Sequence, residues 1–454
     1  MVEVYDVIVV GAGIAGLTAA ERVGSNTDLR VLVLEAQDRI GGRVRSRRAG
    51  DGWLNFGAHV LPGPESEFGR FITSFGVQIS PIPGSVMGVA YQGRLVYGGQ
   101  PPLYPLKLNI SMGSRWGLIR WGAKTWIDLR RAQHLVPGTS ANPFLARGAI
   151  FDADVDYAGC MAKLPRDAYR VIEAAVRRSG GEPSQLTAGA ARDQFSLTFS
   201  GRHSRLANGI VGGTSTIIDA LERNCQAEIR RRCRVTGIRR QGVGEPTVVL
   251  CAGGDRLLAR QVILATKADD IAGIQTDLPE QVRAGLNAVP YGPYTVASFI
   301  TRTTKSLAPN LYAMVVGDPG GPNMVFNLSN LLGESPEGEH VQSFMAYAAA
   351  ARARELDNLD DEATIRLFAD VIDRYLPGFS GAVAYGELVR WSSGLPIVDA
   401  SSAGFLRGLS TVHGELILAG DYLSGSGGLE AAFASGRAAA AHALDFLTDG
   451  GPNE

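Results

Sequence analysis

Residues 5–35 read YDVIVVGAGIAGLTAAERVGSNTDLRVLVLE, and the order of their apolar, glycine-rich and acidic pieces decides the fold. Tyr5 to Val10 is a run of mostly β-branched apolar residues that Gly11 stops, and the Ala-rich stretch Ile14 to Val23 has the composition of a helix. A second apolar run, Leu29 to Leu34, ends at the acidic Glu35. Strand, turn, helix and strand within about 30 residues make the βαβ unit of a dinucleotide-binding domain. Gly11, Gly13 and Gly16 stand at GxGxxG spacing, with Ala15 just ahead of the third. The first admits the tight turn, the second lets a pyrophosphate approach the backbone, and the third lets the helix pack closely on the strand. The helix N-terminus then offers N–H groups and a positive dipole end to the phosphates. Glu35 can accept hydrogen bonds from ribose hydroxyls and would repel the extra phosphate of NADP, and Ala36 follows it into the same site. A glycine-rich structural turn is the alternative, against which stands the ordered sequence of strand, glycines, helix and acid.

FAD is distinguished from NAD by the next segment, EAQDRIGGRVRSRR at 35–48. Two glycines ending at Gly42 precede Arg43, whose planar guanidinium suits a pyrophosphate as a bidentate donor. Arg45, Arg47 and Arg48 are expected as solvated surface arginines.

Farther along, the chain changes character several times. Between Gly50 and Pro105 it is irregular, and residues 114–135 turn helical, amphipathic and basic. β character returns near 205–265, with a helix at Ser215 to Arg223, strands at Cys233 to Arg239 and Val262 to Ala265, and a turn at Gly242 to Pro246. Strands at Tyr294 to Thr301 and Gln342 to Ala348 and a helix at Asp361 to Tyr375 follow, and the chain closes with a strand at Leu416 to Ala419, a glycine-rich turn and a helix from Leu429 to Phe446. The expected fold is α/β: a Rossmann-like FAD-binding domain with a parallel sheet, discontinuous over 1–75, 205–285 and 386–454, plus an inserted α+β substrate domain over 76–204 and 286–385.

With 454 residues there is interior enough for a buried cofactor, and a net charge of -1 gives no global attraction to nucleic acid. Cys160, Cys225, Cys233 and Cys251 form no CxxC pair and no metal-spaced cluster, so no metal site is expected. A reducing cytoplasm is the expected location, since residues 1–10 lack signal-peptide features and no apolar run reaches the ~20 residues of a membrane span.

The stretches VIVVGAGIAGLTAA, LEAQDRIGGRVRS, NFGAH at 55–59 and LILAGDYLSGSGGLEAAFASGRAAA at 416–440 resemble the flavin-containing amine oxidase and protoporphyrinogen oxidase superfamily, which includes phytoene desaturases. That resemblance implies that Gly57, Ala58 and His59 lie beside the flavin ring, that Val235 presents backbone to the adenine side, and that Asp421 bonds the ribityl chain. Backbone N–H groups near Gly428 and Leu429, after Gly420 and Asp421, are placed to stabilise negative charge on the reduced ring; a turn or helix cap is the other role open to Asp421.

The sequence departs from the monoamine oxidase pattern at three points. No cysteine follows Cys251, so FAD is expected to be held non-covalently; Val296 stands where the family has a lysine; and Gly428 stands at a cage-aromatic position. The segment VRWSSGLP at 389–396 looks more like the protoporphyrinogen oxidase and desaturase branch, leaving open whether a C–N or a C–C unit is oxidised. His59 is the polar candidate for base or substrate orienter, with a hydrogen-bonded structural histidine as its rival, and Trp391 either stacks beside substrate or flavin or fills the core. His203 is expected to be structural. Residues 114–135 mix Trp116, Ile119, Trp126 and Ile127 with five basic residues; a helix covering the substrate domain is preferred there to membrane-surface docking. The expected activity is hydride removal from a small, bulky organic substrate, with molecular oxygen as the final acceptor. A redox-neutral flavoenzyme of the sugar-mutase type and a non-catalytic FAD-binding protein are the rivals.

Overall fold

The computed structural model describes residues 4–25, 28–61, 63–82, 87–134, 141–145, 151–199, 208–242, 244–329, 339–425 and 427–448. The first strand, Val4–Val10, lies at the centre of an eight-stranded sheet, with Val31–Leu34 parallel on one side and Arg256–Leu264 parallel on the other. Glu228–Arg230 and Leu416–Leu418 extend the parallel part, and Thr247–Cys251 and Val235–Arg239 add an antiparallel edge.

A central parallel strand is covered on both faces, which is why its sequence is an unbroken apolar run. Side chains alternate between faces along a strand. Val7 and Val9, with Val31, Val33, Ile263 and Ile417, pack on Leu17 and Val23 of the first helix, Ile14–Gly24, and on Phe433 and Ala440 of the last helix, Leu429–Thr448. Ile8 and Val10, with Leu32, Leu34, Val262 and Leu418, face Ile271, Leu286 and Leu406 on the other side. The two helices touch closely: a Cβ on Gly436 would stand 2.2 Å from the Ala15 carbonyl oxygen.

A second sheet of seven strands runs in the order Val383–Pro396, Tyr291–Thr303, His340–Ala349, Met324–Asn327, Ala313–Val316, Gly88–Tyr91 and Arg94–Val96. One face, with Phe299, Phe344 and Ala346, meets Phe368 and Ile372 of the helix Asp361–Asp373. The other, with Tyr294, Val296, Phe326 and Tyr347, meets Val171, Ile172 and Ala175 of the helix Arg166–Arg177. The boundary expected at residue 386 falls inside Val383–Pro396, which pairs with Tyr291–Thr303 from Val383 to Pro396, so 386–396 belongs to the second sheet. The stretch read as irregular contains the strands Gly52–Asn55, Ile79–Pro81, Gly88–Tyr91 and Arg94–Val96. Each is only three or four residues long, too short to display a period.

Candidate cofactor and substrate site

At the end of the first strand Gly11 takes φ +103°, a left-handed conformation open to glycine, and its N–H donates to the Leu34 carbonyl at 2.8 Å. A Cβ on Gly16 would stand 1.9 Å from the Gly11 carbonyl oxygen, so the helix can begin this close to the turn only without a side chain there. Gly13, the N-cap, differs: a Cβ built on it meets no protein atom within 4 Å. The helix N-terminus therefore faces a cradle that a side chain would fill, and its free N–H groups are the donor set a pyrophosphate requires.

Glu35 sits beside this turn. Its Oε2 accepts from the Ala12 N–H at 3.0 Å and its Oε1 from the Gln37 N–H at 2.8 Å, which fixes the carboxylate and leaves lone pairs for hydroxyl donors. Half-buried Ala36 follows it. The Gly41 N–H donates to the Ala12 carbonyl at 2.7 Å, and a Cβ on Gly42 would come within 3.5 Å of the Gly13 Cα, so the second glycine pair lies on the first. The segment leading to Val235 joins here too, through the Cys233 N–H on the Glu35 carbonyl and the Arg232 N–H on that of Gln37, both at 2.9 Å.

Two residues expected to act separately on the cofactor meet each other. The Arg43 guanidinium donates to Asp421 Oδ1 at 2.7 Å and Oδ2 at 2.9 Å, and to the Gly394 carbonyl at 2.7 Å. Asp421 is buried, and a carboxylate out of water needs such a counter-charge. Asp421 Oδ2 also accepts from the Gly428 N–H at 3.4 Å, and the Ser435 hydroxyl accepts from the Gly420 N–H at 3.0 Å, so the turn from Gly420 to Leu429 is braced from within. Gly428 has φ +98° and open space where a Cβ would stand, and Leu429 packs into the first core.

The 55–59 segment runs alongside Arg43. Ala58 N–H donates to the Arg43 carbonyl at 3.1 Å, and a Cβ on Gly57 would lie 2.0 Å from the same oxygen. His59 Nδ1 lies 3.0 Å from the Gly57 carbonyl and must carry its proton toward it, so Nε2 is left as an acceptor, buried and without a partner. The ring stands edge-on to Phe326 at 4.1 Å between centroids and 6.1 Å from Tyr347. Burial pushes the His59 pKa down to about 4, the hydrogen bond to Gly57 opposing this only in part, so the imidazole is neutral at pH 7.

Trp391 ties the second sheet to the 55–59 segment: it stands opposite Tyr294 in that sheet and donates its Nε1–H to the Phe56 carbonyl at 2.7 Å. It positions the 56–59 segment. Trp391→Phe is expected to lower stability by about 1–2 kcal/mol by orphaning a buried carbonyl; a thermal melt unchanged from wild type would refute this.

Several residues that the sequence did not suggest surround His59. Phe326 and Tyr347 stand against it and cluster with Tyr294 and Tyr312, and the Tyr294 hydroxyl donates to the Arg178 carbonyl at 2.6 Å. The Tyr312 hydroxyl and the Arg178 Nε are buried without partners. Burial lowers the Arg178 pKa, with Tyr347, Tyr294 and Asp193 nearby opposing it. The clue available was tyrosine in otherwise apolar strands, since a buried hydroxyl wants a partner. Val296, expected from the resemblance at a lysine position, is buried in the second sheet, and Lys267 is held by Asp269 at 3.1 Å and Ser393 at 3.2 Å. His203 lies outside the described residues. Among the described residues no group of His, Cys, Asp or Glu could hold a metal, and no helix is long and apolar enough to cross a membrane.

A profile of flavin-containing amine oxidoreductases matches residues 14–444. An L-amino-acid oxidase of Siganus canaliculatus is 43% identical over 77 residues, 16% of this chain and 14% of the relative. The human peroxisomal N(1)-acetyl-spermine/spermidine oxidase is 51% identical over 59 residues, 13% of this chain and 12% of its own length. These matches thus span under a fifth of each relative. Wild-type putrescine oxidase bound to putrescine superposes with a TM-score of 0.77 at 16% identity, covering 98% of this chain and 99% of the other. Cyclohexylamine oxidase from Brevibacterium oxydans gives 0.76 at 18% identity, covering 98% and 99%. At these identities the superpositions speak for the fold.

Proposed function

The chain belongs to the flavin-containing amine oxidoreductase family and its cofactor is FAD, and from that premise we propose that it is an oxidase taking hydride from the carbon of a C–N unit, with molecular oxygen as the final acceptor. The observation that carries the reading is His59: a neutral imidazole with an unpartnered, buried Nε2, set among Phe326 and Tyr347 on the sheet that Trp391 ties to the Gly57 segment. We assign the first sheet and its helices to FAD and the second sheet to the substrate.

Bound FAD supplies a two-electron acceptor. The N–H groups at Gly13 to Gly16 and the guanidinium of Arg43 are the donors for its pyrophosphate, Glu35 the acceptor for its ribose, and Asp421 and the Gly428 N–H the pair for its ribityl and ring end. The His59 Nε2 accepts a hydrogen bond from the substrate's N–H and so holds the amine neutral and oriented, which a hydride donor requires. The aromatic rings around it exclude water and favour an apolar body on the substrate. Oxidation of a C–C unit is the second reading, favoured by Val296 in place of a lysine. Anaerobic titration with a panel of primary and secondary amines is expected to bleach the flavin absorption, and aerobic turnover to release one peroxide per substrate. Bleaching by none of them, with turnover on an alkene precursor, would transfer the assignment to the second reading.

His59→Phe is expected to lower kcat by about 10²–10³-fold while leaving FAD bound. The sign of the pH dependence follows from a folded pKa of about 4 against 6.5 in the unfolded chain. Between those values the unfolded state binds the extra proton, so stability is lost as pH falls from 6.5 toward about 4 and levels off below. Thermal melts across this range are expected to show a slope in the wild type that His59→Phe reduces; equal slopes would refute a neutral His59 with a buried Nε2.

A further inference from the structure

Residues 68–151 contain nine Lys and Arg but a single acidic residue, Asp128, in a chain whose net charge is -1. Asp128 points inward, where Arg192 lies at 3.3 Å and Lys124 at 2.6 Å. The charge that the helix Met112–Gln133 turns outward is therefore positive, from Arg120, Arg130 and Arg131, with the exposed Lys124 held by Asp128 and the half-buried Arg115 bonded to the Leu108 carbonyl at 3.3 Å. At 3.6 residues per turn, Met112, Trp116, Ala123, Trp126 and Ile127 fall on that same outward side. Met112 is 65% exposed, Trp116 60%, and Leu106 beside the helix 56%, while Leu103, Trp126 and Ile127 are exposed as well. Single exposed apolar residues are ordinary, but six within 25 residues on one basic surface form a patch. Arg130 stacks over the Trp126 ring at 5.5 Å, a cation on an indole at the surface. Beneath the helix lies an apolar cavity of about 410 Å³, lined by Ile119, Ala123 and Trp126 from this face and by Val171, Phe195 and Val315 from below.

We propose that this face docks on an anionic lipid bilayer. Tryptophan favours the headgroup boundary, where its ring is apolar and its N–H wet, and interleaved arginines meet lipid phosphates. Charge complementarity selects this occupant over a second copy of the chain, since a two-fold contact through the patch would set Arg120, Arg130 and Arg131 against their own copies. The proposal departs from the sequence-based preference for a helix covering the substrate domain with a solvated basic face, on the exposure of Trp116, Trp126, Ile127 and Met112.

The test is co-sedimentation of the holoenzyme with phosphatidylglycerol-containing vesicles and with pure phosphatidylcholine vesicles. The wild type is expected to partition at least tenfold more strongly onto the anionic vesicles, with binding falling as salt rises. Trp116→Glu is expected to reduce that partition at least tenfold, with FAD content and anaerobic bleaching by a water-soluble substrate unchanged. Failure of the wild type to bind at low salt, or equal binding by Trp116→Glu, would overturn the proposal. So would a wild-type dimer, seen by analytical ultracentrifugation, that Trp116→Glu dissociates. Because sedimentation reads binding without turnover, these outcomes stand apart from any failure of the proposed oxidase activity.

Discussion

Arg43→Met is expected to yield colourless protein that has lost about 3–5 kcal/mol of stability. Arg43 and Asp421 are 378 positions apart, and their bidentate contact ties the start of the first sheet to the turn ahead of the last helix. With Arg43 gone, the Asp421 carboxylate, only 5% exposed, keeps a weak bond from the Gly428 N–H and no cation. The penalty is that of an uncompensated buried charge, which exceeds what the pair itself contributes. A second substitution separates fold from cofactor: Arg43→Met with Asp421→Leu removes the stranded charge, and most of the stability is expected to return while FAD remains absent. Thermal melts and the absorbance of the purified proteins read both quantities. Wild-type FAD content in Arg43→Met would dismiss Arg43 as a cofactor ligand.

Gly13→Val and Gly16→Val are expected to fail in different ways. At Gly13 the backbone is extended, φ -80° and ψ -177°, and a Cβ meets no protein atom within 4 Å, so the apoprotein is expected to fold within about 1 kcal/mol of wild type. The added side chain fills the cradle at the helix N-terminus, and FAD affinity is expected to fall at least 100-fold. At Gly16 the Cβ would collide with the Gly11 carbonyl oxygen at 1.9 Å, backbone against backbone, and the protein is expected to be insoluble or unfolded. Flavin fluorescence titration of refolded apoprotein measures the first and soluble yield the second. A Gly13→Val protein that binds FAD normally would remove the pyrophosphate from that helix end.

Much of the first sheet with its opening helix was legible because its signals are local. Glycine spacing, a β-branched run and an acid at a strand end each act over a few residues: Gly11 makes the tight turn, Gly16 the close approach of helix to turn, and Glu35 bonds the Ala12 N–H beside them. What the sequence could not announce was pairing across distance. Arg43 with Asp421, Trp391 with the Phe56 carbonyl, and Tyr294 with the Arg178 carbonyl join segments whose spacing carries no period. The same limit applies to Val383–Pro396, inside which the boundary expected at 386 falls: it is recognised by its partner Tyr291–Thr303, not by its own composition, which includes Gly386, Ser392, Ser393 and Gly394. His59 was visible as a candidate, but its neutrality depends on Phe326, Tyr347 and burial that only the second sheet supplies.

The order of the strands in the first sheet also bears on how the chain is made. Val4–Val10 needs Arg256–Leu264 as a neighbour, and that strand needs Leu416–Leu418. At ribosomal rates of about 5–20 residues per second, the opening βαβ unit waits tens of seconds for its far edge. Throughout that interval one side of an unusually apolar strand has no mate, and the helix Leu429–Thr448, which must cover it, emerges later still. Biogenesis, more than the finished protein, is where this topology leaves apolar strand edges unpaired.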